Sequence, residues 1–168
     1  MNWLTRLIPS IGLRRDSGLS KSKIPDGLWS NCPACGVTLY QPELEKSLYV
    51  CPKCDHHLRI GARTRMSIFF DGGNFHELAT KITTKDILNF KDTKSYGQRI
   101  KEAVKSTGEE EAIIVGKGKL EGVEIVVAAF EFRYMGGSMG GAVGTKFVQG
   151  VDEAIVSKAP FICFSTSG

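Results

Sequence analysis

"VEIVVAAFEFRYMGGSMGGAVGTK", residues 123–146, passes from an unbroken apolar run into a segment of bare backbone, and its reading decides the fold. The run up to Phe132 carries almost no polar alternation, so it predicts a strand buried on both faces. Beyond the loop, Val143, Phe147, Val151 and Ile155 recur every fourth residue, which predicts a helix ended by Pro160. "FICFS", residues 161–165, then reads as a second buried strand. Strand, glycine loop, helix and strand make a β-α-β crossover, and the chain from about residue 110 onward reads as an α/β layered domain. Cys163 lies in that last strand, with all three histidines far away in sequence, and reads as a small buried hydrophobe rather than a nucleophile.

Upstream signals agree with this layering. "AIIVGKGKL" precedes the first strand across Glu121-Gly122, a two-residue hairpin turn. "YGQRIKEAVK" places Tyr96, Ile100 and Val104 on one helical face, with Thr93 or Ser95 as cap and Gly108 as stop. "ARTRMSIFF" reads as a helix halted at Asp71-Gly72-Gly73. Before it, residues 26–60 hold paired cysteines with strand-like "VTLY" and "SLYV" separated by "QPELEK", a β-ribbon module. Residues 1–25 read as a flexible basic leader, and residues 61–168 as the start of the α/β domain.

Residues 136–146 contain five glycines and a lone Ser138. A dinucleotide fingerprint needs glycines two apart, and none here are. A P-loop needs Gly-Lys-[Ser/Thr], whereas Gly144 is followed by Thr145 and then Lys146. Two readings stay open: amides near a helix start that donate to an anion or oxyanion, or close packing of backbone on backbone.

Cys32 and Cys35 form one C-x-x-C pair and Cys51 and Cys54 another, with 15 residues between. That spacing suits a four-cysteine zinc site, each turn offering two thiolates to one tetrahedral ion. Pro33 and Pro52 stiffen the turns, while Gly36 and Asp55 occupy the place where the backbone bends back. Disulfides are disfavoured without a secretory signal, and two pairs at ribbon spacing argue against a redox site. Four protein ligands leave no open position, so the zinc is structural; His56 and His57 read as surface or packing residues.

Overall, 42% of residues are hydrophobic and 24% charged, a globular balance. No run is long enough to span a membrane, and the first apolar stretch is interrupted by Arg6 and Pro9, which predicts a soluble, cytoplasmic protein. An organellar transit peptide fits the acid-free start but not its scarcity of serine. The net charge of +4 is uneven: residues 1–65 hold 10 Lys/Arg against 5 Asp/Glu, the remainder 12 against 13. Such an N-terminal excess suits a polyanion, or simply a solvated surface.

"CPACG", "CPKCDHH", "FEFRYMGGSMG" and "PFICFSTSG" together closely resemble the β subunits of the bacterial acetyl-CoA carboxylase carboxyltransferase, over the whole chain from Trp3. The resemblance implies a zinc ribbon followed by a crotonase-like (ClpP/crotonase) α/β domain. It implies transfer of a carboxyl group from carboxybiotin, borne in trans on the biotin carboxyl carrier protein, to acetyl-CoA. The product is malonyl-CoA for fatty-acid synthesis. It further implies a carboxyltransferase alpha subunit completing the active site, and biotin carboxylase in the same ATP-dependent complex. In the family, backbone amides rather than side chains do the chemistry, which suits a sequence with no poised histidine or carboxylate pair. Carried over, the amides of Gly136, Gly137, Ser138 and Met139 line the acyl-CoA pocket, and Gly168 matches the first glycine of an S-G-G-A-R oxyanion turn. The chain stops there, so it reads as C-terminally truncated and inactive alone.

A rival reading is a nucleic-acid-binding zinc ribbon using Arg59, Arg63, Arg65 and the basic leader; it predicts binding that weakens steeply with salt. A blander one has the ribbon only lid or dock the larger domain.

Overall fold

The structure is a computed structural model that describes residues 27–166; the leader over residues 1–25 and Gly168 lie outside the described residues. Two sheets organise the chain. A small one pairs β1 (Trp29–Asn31) antiparallel with β2 (Thr38–Tyr40). The larger has strand order β3 (Phe75–Leu78), β4 (Ile113–Leu120), β5 (Val123–Phe130), β6 (Phe161–Phe164). Its first two pairings are antiparallel and the last parallel.

β4 and β5 turn on Glu121 and Gly122, whose φ angles of 52° and 79° are both positive, the geometry that matches strand twist in a two-residue hairpin. The Asp71 carboxylate accepts hydrogen bonds from both turn amides at 2.8 Å, tying the turn to the end of the preceding helix. β5 to β6 is the parallel crossover, carried by α4 (Gly141–Ser157). Parallel neighbours cannot be joined by a hairpin, so the glycine loop and α4 together form the connection.

Alternation in β4 and β5 divides the core. Ile113, Val115, Val126 and Ala128 face α4 and α3 (Tyr96–Thr107). Ile114, Ile125, Val127 and Ala129 face α2 (Ala62–Phe69), where Met66 is buried, and Phe70 just beyond it. Each fully buried aliphatic side chain contributes about 1.5–3 kcal/mol, so both helical layers are held by the central strands. α3 starts at Ser95, whose hydroxyl accepts from the Gln98 amide at 3.2 Å, and ends at Gly108 in the left-handed region.

Three expectations are corrected. "SLYV" is not a strand: "QPELEK" forms helix α1 (Gln41–Lys46), and Leu48 and Tyr49 then take φ of 54° and 63°, so the chain reverses through a turn. Only Val50 pairs, as an isolated bridge to His57. "FICFS" is half-buried rather than buried, and Cys163 is exposed, because β6 is the last strand in the sheet order and α4 and α2 cover it only in part. On α4 the buried positions are Val143, Lys146, Gly150 and Ala154, and Ile155 is 69% exposed. A strict four-residue spacing advances 400° against a 360° turn, so by the third step the row has rotated away from the core.

Candidate functional site: zinc knuckles, a glycine loop and a basic groove

The two C-x-x-C turns are built alike. The Gly36 amide donates to the Cys32 carbonyl at 2.9 Å, and the Asp55 amide to the Cys51 carbonyl at 3.0 Å. Gly36 and Asp55 both take positive φ, 69° and 56°. α1 and the Leu48–Tyr49 reversal bring the second turn opposite the first, and the four sulfurs lie within 4.8 Å of one another. The Cys32–Cys54 and Cys35–Cys51 separations are 3.7 and 3.8 Å. A tetrahedral ion with Zn–S of about 2.3 Å has sulfur–sulfur edges of about 3.8 Å, so the cluster fits zinc with no position left open. Burial opposes ionisation of Cys32, but the Cys35 and Ala34 amides and the neighbouring thiols draw it down to about 7. The His56 amide favours ionised Cys54, yet desolvation and the three other sulfurs push it up to about 12. Four thiolates therefore need a cation between them. The apolar core beside them is small, chiefly Leu39 and Leu44. His56 and His57 stay outside the cluster.

The glycine loop is anchored at its start by Tyr134. Its hydroxyl donates to the Glu110 carbonyl at 3.0 Å, and burial pushes its pKa up to about 12, so it remains a donor. A 3₁₀ turn over Met135–Gly137 follows. The Gly137 amide is committed to the Tyr134 carbonyl at 3.0 Å. The amides of Ser138 and Met139 find no acceptor among the described residues. Of the four residues whose amides are expected to serve a ligand, Gly137 has its amide occupied, and Ser138 and Met139 are exposed, Met139 by 75%.

Gly137 itself has φ of +75°, and a Cβ placed on it would lie 2.9 Å from Thr166 Cγ2 and 3.0 Å from the Thr166 carbonyl oxygen. Backbone packing is therefore what this glycine provides. The same contact seats the loop against the segment leaving β6. Of the two readings left open by the sequence, backbone packing holds at Gly137.

Glu131, 2% exposed at the end of β5, is the other organising residue. Its carboxylate accepts from the Ala62 amide at 2.9 Å and from the Arg133 amide and Nε at 3.1 Å each, which holds the first turn of α2. Against burial, these donors keep its pKa below the ordinary value.

Between the ribbon's end and the carboxyl ends of β5 and β6 runs a groove of about 830 Å³. Arg59, Arg65 and His57 line it, with Phe132, Phe164 and Thr166. Arg59 stacks 4.6 Å from the Phe132 ring centroid and Arg65 5.6 Å from that of Phe164. Sequence reasoning noticed these arginines only as a basic run; their sharing of a groove with the glycine loop's neighbour depends on tertiary packing.

With this geometry in view, comparison with known proteins is direct. The carboxyl transferase domain family model matches residues 59–168, and the acetyl-CoA carboxylase zinc finger domain matches residues 29–54. The chain belongs to the carboxyl transferase domain family, with a crotonase-like α/β domain behind a structural zinc ribbon. It is similar to the transcarboxylase 12S hexamer solved with hydrolysed methylmalonyl-coenzyme A bound, at 25% identity over 66% of this chain and 19% of that one, TM-score 0.52. A single-chain, multi-domain long-chain acyl-CoA carboxylase shares the fold at 19% identity, over 66% of this chain and 11% of that one, TM-score 0.51. The chain thus spans about a fifth or less of the length of these structures. Among the described residues no helix is long and apolar enough to cross a membrane.

Proposed function

We propose that this chain is the β-type part of the carboxyltransferase of an acetyl-CoA carboxylase, acting in the cytoplasm to form malonyl-CoA for fatty-acid synthesis. The observation that carries the reading is the Gly137–Thr166 contact, which sets unengaged amides of Ser138 and Met139 beside the loop leaving β6. Carboxybiotin, delivered by a carrier protein, supplies the carboxyl group. In this reading the Ser138 and Met139 amides would donate to the thioester oxygen as negative charge develops on it. Preorganised donors of this kind stabilise an oxyanion without needing a titrating side chain. Gly168, outside the described residues, would add donors from the second wall. An alpha-type subunit completes the pocket, and biotin carboxylase recharges the carrier.

The decisive assay combines this protein with an alpha-type subunit, carboxybiotin and acetyl-CoA. Malonyl-CoA is the expected product; carboxylation of another acyl-CoA in preference would reassign the substrate, and no transfer to any would end the reading.

A further inference from the structure

We propose that residues 80–95, which lie between β3 and α3, form the docking surface for the carrier domain that brings carboxybiotin; this rests on the carboxyltransferase reading above. Three large apolar side chains of this segment stand in solvent, Ile87 and Leu88 at 83% and 80% exposed and Phe90 at 54%. With Tyr96 they line a cleft of about 230 Å³. Single exposed apolar residues are ordinary, whereas a contiguous group of them marks an interaction site. The backbone that carries them is firmly tied. Glu111, buried just before β4, accepts from the Thr84 amide and, at 3.1 Å, from the Thr84 hydroxyl. The Phe90 amide donates to Asp86 at 3.1 Å, the Tyr96 amide to the Phe90 carbonyl at 2.9 Å, and Asp92 pairs with Arg99 of α3 at 2.6 Å. A surface held in this way loses little conformational freedom when a partner lands on it.

Charge and position select the partner. Lys81, Lys85 and Lys91 are exposed and have no acidic partner among the described residues. The two carboxylates of the segment are engaged, Asp92 by Arg99 and Asp86 by the Phe90 amide. An apolar patch rimmed by free lysines fits a partner whose own apolar spot is ringed by carboxylates, while a second copy of this chain would set lysines against lysines. A patch of three residues suits a transient encounter rather than a permanent subunit interface, and the carrier is the partner that must come and go. Glu111, which holds Thr84, follows Glu110, whose carbonyl holds Tyr134 at the start of the glycine loop. The segment is therefore anchored at the same end of the sheet as the loop to which the carrier would deliver its biotin.

The test uses the full chain assembled with an alpha-type subunit and compares carboxybiotin borne on the carrier domain with free carboxybiotin, acetyl-CoA being the acceptor. The double variants Ile87→Ser/Leu88→Ser and Lys85→Glu/Lys91→Glu should each lower kcat/KM for the carrier-borne donor about tenfold or more, chiefly through KM, and leave that for free carboxybiotin at the wild-type value. Transfer from the carrier should weaken as salt rises in the wild type and lose that dependence in the lysine variant. Wild-type rates from the carrier in both variants, equal losses with both donors, or the same salt response in wild type and lysine variant would overturn the proposal and leave the carboxyltransferase reading standing. Sedimentation showing that the variants shed the alpha-type subunit would reassign the surface to that subunit, and a halved mass of the isolated chain would reassign it to a second copy; either overturns the proposal. No transfer by the wild-type complex from either donor would remove both readings together.

Discussion

Replacing Gly137 by alanine tests whether the glycine loop and the segment leaving β6 are packed as one unit. Two costs are separable. The backbone φ of +75° imposes left-handed strain of about 1–2 kcal/mol on any residue with a Cβ. The new methyl would also sit 2.9 Å from Thr166 Cγ2 and 3.0 Å from its carbonyl oxygen, well inside the 3.5–4.0 Å at which carbon contacts become favourable. Overpacking of that kind adds about 1–3 kcal/mol. Two other glycines calibrate the sum. Gly122 has φ of +79° with no atom within 4 Å of where a methyl would sit, so Gly122→Ala carries the strain alone. Gly140 has φ of −100° and equally open surroundings, so Gly140→Ala should stay within about 0.5 kcal/mol of wild type. Urea unfolding followed by circular dichroism should therefore rank the variants Gly140→Ala, Gly122→Ala, Gly137→Ala, the last about 2–5 kcal/mol below wild type. Carboxyl transfer should fall only in Gly137→Ala, where the Thr166 wall is displaced. If Gly137→Ala and Gly122→Ala unfold at the same urea concentration, the clash is absent and the two walls are not packed together.

Further expectations concern the metal, the junction and the amide donors. Chelating zinc at neutral pH should unfold residues 27–58 while the larger sheet persists, because apparent zinc binding of about 10–16 kcal/mol outweighs anything the Leu39–Leu44 core supplies; ribbon amide resonances that survive metal removal would contradict this. Glu131→Gln should cost about 1–3 kcal/mol by weakening the acceptor of the buried Ala62 amide, with little contribution from the exposed Arg133. Because the folded pKa of Glu131 is lowered, its stabilisation is present above the unfolded value of about 4.3 and is lost as pH falls through the folded one. The gap between wild type and Glu131→Gln should thus narrow in acid, and a gap independent of pH would show that the carboxylate charge is not what matters. Ser138→Ala should leave transfer nearly unchanged, since the amide and not the hydroxyl is the donor. Ser138→Pro suits the local φ of −56° and deletes the N–H, but it also restricts Gly137 before it, so its unfolding midpoint is measured alongside kcat, which should fall by about 10²–10³; equal rates for the two variants would refute the amide role.

What the sequence could and could not disclose follows from the range of the forces involved. The β4–β5 hairpin, the Ser95 cap and the Gly108 stop are specified by residues within a few positions of each other, and they are legible. The zinc ligands are legible too, because spacing alone dictates that two C-x-x-C turns meet. Leu48 and Tyr49 in left-handed backbone are not, since nothing in "SLYV" disfavours a strand except the need to bring Cys51 back to Cys35. Apolar content likewise predicts a buried β6, but burial there depends on what lies beyond the sheet's last strand. In the site, the loop is visible from its glycines, whereas the division of labour within it is not. That Gly137 spends its amide on Tyr134 while Ser138 and Met139 keep theirs is fixed by the anchoring of Tyr134 to Glu110, 24 residues away.

A site built from amides places its constraints elsewhere than a site built from side chains. A catalytic histidine can be moved by a rotamer; an amide moves only with its backbone, so its precision must come from what clamps the loop. Here the clamps are the buried Tyr134 hydroxyl below, α4 packed through Gly150 against Val115 and Phe161, and Thr166 pressed on Gly137. None of these groups would touch substrate, yet each fixes where the donors point. Glu131 extends the same logic to the ribbon, since it joins the end of β5 to the first turn after the zinc module. The metal then acts at a distance: by folding the ribbon it would hold Arg59 over Phe132, in the wall of the groove that Thr166 also lines.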